Sequence, residues 1–287
     1  MRRRLTAVSA AMLLAVTACS DGDEPTAAAR PTELSVLEDD PAAATAVSAA
    51  LDRLRESDTG TFTTGLVYDD VTFDYYGSYR LSPAQQRVSV TAGLPDDPVT
   101  TEAVGDSGPF YVRLPPDGPV SSLCWVSGDP QQIAEVTGVE TNPDFNRLPG
   151  ALSIASTAVG VAYAEDSPRG EVLGSVDLAT ATALISQRLP ALLGLVGASH
   201  RVLARFTLHD GVLAAIRVEG PAILAALDRA GTEAEPDELA EVFGADVPIE
   251  VTLADAGEKV VIAPPAPAAV IDLGDPDAAQ RLTECDD

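Results

Sequence analysis

The chain has 287 residues, 46 % of them hydrophobic, with 44 acidic side chains against 18 basic ones and a formal net charge of −26. So acidic a surface repels phosphate backbones and anionic head groups, which excludes nucleic acid as an expected partner. With enough apolar residues for a sizeable core, the length permits one large domain or two small ones.

Met1-Arg2-Arg3-Arg4 is a compact positive start, and Leu5 to Ala18 carries no charge. Such a segment makes about 21 Å of helix, too short for roughly 30 Å of hydrocarbon but right for the apolar region of a signal peptide. It ends Val16-Thr17-Ala18-Cys19, an aliphatic residue and two small ones before cysteine, followed by polar Ser20. This is the pattern of a bacterial lipobox. Residues 1–18 are therefore expected to be removed and Cys19 to carry a diacylglyceryl group. Two or three acyl chains, at about 0.8 kcal/mol per buried methylene, would then hold the protein on the outer face of the cell membrane. No other stretch reaches 18 consecutive apolar residues. Removal of Arg2, Arg3 and Arg4 takes the 18 basic residues to 15 against 44 acids, a net charge of −29.

Residues 20–40, SDGDEPTAAARPTELSVLEDD, are acidic and rich in Pro and Ala, with no periodicity, and read as a flexible acidic tether. Asp40-Pro41 offers an N-cap followed by proline at the first helical position. The predicted helix runs to about Glu56, with Val47, Leu51 and Leu54 on one stripe. Residues 41–287 form the expected folded domain.

Strand signals follow. Phe62, Thr64, Leu66 and Tyr68 share one face, and Asp69-Asp70 turns the chain. Val71, Phe73, Tyr75, Gly77 and Tyr79 alternate with polar residues, as do Val88, Val90 and Ala92. Period two means a sheet with one buried and one wet face, and short connections mean antiparallel hairpins. Phe110 to Leu114 and Leu123 to Val126 are further strands, Asp129-Pro130 opens a short helix, and Asn142 to Pro149 reads as loop. Asp177 caps a helix that Pro190 interrupts, and residues 190–197 are apolar enough to gate an opening. Val202 to Leu208 and Val212 to Val218 alternate around Asp210-Gly211, a strong hairpin turn. Helices are expected near Pro221 to Ala230 and Asp237 to Phe243. Val247 to Leu253 is a strand, returning through Ala256-Gly257 into Lys259 to Ile262. The sum is α+β: a curved antiparallel sheet with helices on its concave face.

Catalytic signatures are sparse. Gly105-Asp106-Ser107-Gly108-Pro109 approaches a serine-protease motif, but that chemistry needs a histidine base and the chain holds only His200 and His209. There is no P-loop, GxGxxG, HExxH or GxSxG. The protein is not expected to be an enzyme, to need a cofactor or to hold a metal. Phe73, Tyr75, Tyr76 and Tyr79 suit a packed strand better than sugar stacking. With Cys19 acylated, Cys124 and Cys285 remain in an exported chain where thiols oxidise, and are expected to pair.

In several segments the chain resembles the actinobacterial LppX/LprAFG-type lipoproteins. They are the lipobox, AVSAALDRLRESDTGTF, FDYYGSYRLSPAQQRVSV, LHDGVLAAIRVEG and the ending VTLADAGEKVVIAPPAPAAVIDL. The resemblance covers roughly 41–100 and 170–272. It implies a LolA/LolB-like half-barrel whose apolar hollow binds and carries a lipid or other hydrophobic small molecule. The inward residues Phe62, Leu66, Tyr68, Phe73, Tyr75, Val88, Phe206, Ile216 and Val251 would line it. The alternative is an envelope interaction or sensor module that uses the same sheet without a cavity.

Overall fold

The computed structural model describes residues 37–68, 71–94, 97–105, 110–113, 124–129, 132–133, 147–164, 170–185, 189–195, 200–232 and 248–284. Twelve strands are described. Along the chain they are β1 (Thr59–Tyr68), β2 (Val71–Leu81), β3 (Ala84–Leu94), β4 (Asp97–Gly105), β5 (Phe110–Arg113), β6 (Trp125–Ser127), β7 (Val159–Tyr163), β8 (Glu171–Asp177), β9 (Arg201–His209), β10 (Val212–Val218), β11 (Ile249–Ala254) and β12 (Val270–Asp272). They form one open sheet in the order β12-β6-β5-β4-β3-β2-β1-β11-β10-β9-β8-β7. The described helices are α1 (Pro41–Ser57), α2 (Arg147–Thr157), α3 (Leu178–Thr182), α4 (Leu189–Leu192), α5 (Gly220–Ala230) and α6 (Ala278–Glu284). The architecture is the α+β half-barrel, a curved sheet with helices on its inner face.

Local chemistry accounts for the elements. Asp40 caps α1, its carboxylate accepting from the amides of Ala42 (2.8 Å) and Ala43 (3.4 Å), with Pro41 behind it. Ala43, Val47, Ala50, Leu51 and Leu54 form the buried stripe of that helix. Asp210 and Gly211 both take positive φ, 50° and 75°, the geometry that closes a two-residue hairpin between right-twisted strands. The guanidinium of Arg53 donates to the Gly211 carbonyl at 2.8 Å and ties α1 to that turn. Helix α1 packs on β7, β9 and β10, α2 and α3 on β8, and α5 on β9.

Four expectations are corrected. The sheet is not purely antiparallel, because β12 pairs in parallel with β6. Lys259 to Ile262 makes no strand: both edges of β11 are already taken, by β1 and β10, so a returning strand has no free edge. Instead the chain crosses to the far end of the sheet as β12. The loop expected to run through Pro149 gives way to α2 from Arg147, since proline is tolerated in a first helical turn that needs no intrahelical N–H. The helix capped by Asp177 is short, ending at Thr182. The Asp69-Asp70 turn and the 237–243 helix lie outside the described residues.

Candidate functional site

Strand register sorts the inward residues into cross-strand rows, which periodicity alone does not. One row runs Ile271, Val126, Val112, Ala103, Val88, Gly77, Phe62, Leu253, from β12 to β11. The next runs Thr101, Val90, Tyr75, Thr64, Val251, Ile216, Phe206, Val172, from β4 to β8. A third begins Val99, Ala92, Phe73, Leu66 on β4 to β1. The sequence-predicted lining residues are thus on neighbouring rows of one face, with Tyr68 at the hairpin end.

Burial grades along these rows. Phe62, Val88, Phe206, Ile216 and Val251 are all buried, within one continuous apolar cluster that also takes in the helices. Such burial is what a packed core gives, and equally what the wall of an enclosed hollow gives. Tyr75 is half-buried against that cluster and Phe73 is half-buried. Val99, at the end of the third row, is 46 % exposed. The side chains of Leu66 and Tyr68 lie outside the described residues. The inner face therefore runs, without a change of apolar character, from sealed to open.

Two buried polar atoms on this face have no hydrogen-bond partner among the described residues: Thr64 Oγ1 and Tyr79 Oη. The Tyr79 ring lies over Gly60, where a Cβ would come within 2.7 Å of it, and the Phe62 ring lies over Gly77 in the same manner. Burial, and secondarily the charge of Asp255, push the Tyr79 phenol up to about 12.

Pairing of β1 with β11 ends at Thr64 and Val251, although β1 continues to Tyr68 and β11 reaches back to Ile249. The two strands fork there. On the outer face, at the fork, lies a cleft of about 520 Å³. It is bordered by Gly65, Asp74, Tyr76, Pro248 and Glu250 with threonine and serine hydroxyls, and Thr64 and Tyr75 of the second inward row reach it where the strands part. Beside it, Arg217 bonds Glu219 at 2.7 Å and approaches Glu250 at 3.7 Å, while Arg205 pairs with Glu171. The Arg217 guanidinium is raised above its ordinary value, first by its hydrogen bond to Glu219.

The chemical motifs are scattered. Ser107 lies outside the described residues. His209 is exposed beside Asp210 at 3.4 Å, and no group of three metal-ligating side chains occurs among the described residues. Cys124 packs near Ile271, Ala278 and Leu282. Cys19 and Cys285 lie outside the described residues. Among those residues no helix is long and apolar enough to cross a membrane.

No family model matches the chain. No curated protein matches it either. Among solved structures it is similar to the crystal structure of LprF from Mycobacterium bovis, at 12 % identity and a TM-score of 0.41, covering 79 % of this chain and 98 % of that one. One solved structure that this chain is similar to is thus an LppX/LprF-type lipoprotein.

Proposed function

We propose that this is an extracytoplasmic lipoprotein, anchored through lipid on Cys19, that binds a lipid or other hydrophobic small molecule at the open end of its inner face. The observation that carries the reading is the third cross-strand row. Phe73, Ala92 and Val99 continue the apolar face past the point where its neighbours are sealed. An acyl chain laid there extends the core and gains roughly 25 cal/mol per Å² removed from water. Thr64 Oγ1, unpartnered in the adjoining row, supplies the kind of single polar contact that orients a ligand in an apolar pocket. Leu66 and Tyr68 are assigned to the same end by their strand positions.

A Cys124–Cys285 disulfide belongs to this reading. Leu282 packs in the small cluster that includes Cys124, and Cys285 follows it by three residues. The bridge would close about 160 residues, a constraint worth up to about 5 kcal/mol by chain-entropy reasoning.

The test is native mass spectrometry of the protein purified from the membranes of a lipoprotein-processing host. The expected result is a diacylglyceryl mass on Cys19, release to the soluble fraction in Cys19→Ala, and a copurifying acyl lipid. Val99→Asp should reduce that lipid load at least tenfold. A protein that is repeatedly empty and takes up no added fatty-acyl probe overturns the carrier reading. Cys124 and Cys285 should both resist thiol labelling under denaturing, non-reducing conditions.

A further inference from the structure

We propose that the outer-face cleft at the β1–β11 fork binds a neutral polyhydroxylated ligand, a segment of glycan. The cleft's size, about 520 Å³, falls within the range of small-molecule sites. Its existence follows from the fork: where the strands part, Gly65 contributes no side chain to fill the gap.

The lining decides the ligand class by elimination. Apolar surface comes from Pro248, the rings of Tyr75 and Tyr76 and the threonine methyls, but it is broken up by two carboxylates and a set of hydroxyls, so an acyl chain laid there would desolvate polar groups it cannot satisfy. Among the described residues two carboxylates and no arginine or lysine border the space, so an anion is repelled. A cation is also a poor fit, because Glu250 is already approached by Arg217 and accepts from Thr252 Oγ1 at 3.3 Å. Among the described residues that leaves Asp74 as the bordering carboxylate with no cation beside it. The remaining side chains carry hydroxyls: Thr63, Thr64, Ser89, Thr91 and Thr252, each able to donate and to accept. Sugar hydroxyls do the same. Tyr76 is 56 % exposed, on the face of β2 opposite to Phe73, Tyr75 and Tyr79. Its ring presents a negative face to the weakly positive C–H side of a pyranose, with the phenol left free for a hydrogen bond.

Most of the lining is on the opposite face from the apolar rows, with Thr64 and Tyr75 reaching it where the strands part; Tyr76 and Asp74 belong to no inward row, so variants there test this site separately from the lipid reading. The experiment is isothermal titration calorimetry of the mature chain with neutral oligosaccharides of four to six units, in gluco-, manno-, galacto-, arabino- and N-acetylglucosamine series. Hexalysine serves as the cationic comparison. We expect at least one series to bind, with affinity falling at least tenfold in Tyr76→Ala and severalfold in Asp74→Asn. Phe73→Ala, on the inner face, should leave it unchanged. Failure of every series, tighter binding of hexalysine, or sugar binding indifferent to both outer-face variants would each overturn the assignment.

Discussion

The two halves of the sheet solve the same problem differently. In the β8–β11 half, the third level of the inner face is Ile249, Val218 and Ala204, at 4 %, 0 % and 1 % exposure. In the β1–β4 half, the same level is Phe73, Ala92 and Val99, half-buried to 46 % exposed. Apart from α6 at β12, the described helices rest on β7–β10, and the strands there run 5 to 9 residues. β1, β2 and β3 run 10, 11 and 11. One to six extra residues are about 3–20 Å of strand. The hairpins outreach their cover, and the fork between β1 and β11 marks where the two regimes part. Apolar patterning alone does not distinguish a core from a binding face; strand length relative to its cover does.

The contrast can be broken most forcefully at Phe206. Phe206→Ala, in the sealed half, should cost about 3–5 kcal/mol by leaving a cavity, while Phe73→Ala in the open half should cost about 1 kcal/mol or less. Chemical denaturation of both variants checks this, and equal losses would mean that the halves are packed alike. Next in size, Asp40→Ala should cost about 1 kcal/mol by removing the cap of α1, with the loss visible as fraying of that helix in amide exchange. Smallest at neutral pH is Tyr79→Phe, which deletes a buried hydroxyl with no partner among the described residues and should change stability by under about 1 kcal/mol. Its signature is alkaline. The folded phenol titrates near 12 and the unfolded one near 10, so the folded state holds the proton more tightly. The wild-type protein keeps this contribution below pH 10 and loses it as pH rises toward 12; in Tyr79→Phe that slope should be absent.

Much of the fold is legible in the chain. The Asp40-Pro41 start, the Asp210-Gly211 turn and the alternation of β1–β3 and β9–β11 are local chemistry, and each forms as read. What was not legible is non-local. No local pattern says that β11 has both edges occupied, so the apparent hairpin after Ala256-Gly257 was a reasonable but wrong reading. Val159–Tyr163 and Glu171–Asp177 are strands because β9 offers an edge, a fact their own residues do not carry. For the site, alternation identified which residues face inward, but not which of them share a row or where the cover ends. Tyr76 points the other way from Tyr75 by simple parity, yet the cleft beside it depends on where β1 and β11 cease to pair.

The backbone amide of Asp40 donates to the Val161 carbonyl at 2.8 Å, and the Asp39 carboxylate accepts from the Val161 amide at 3.1 Å. The residues just ahead of α1 are thereby stitched to the outermost strand, β7. A tug arriving from the N-terminal side is shared between that strand and a helix seated on it and on two others, deep in the well-covered half. The fork lies at the opposite side of β11, about four strand spacings or 19 Å from β7. Load applied ahead of residue 37 and the cleft at the fork thus fall on separate parts of the frame.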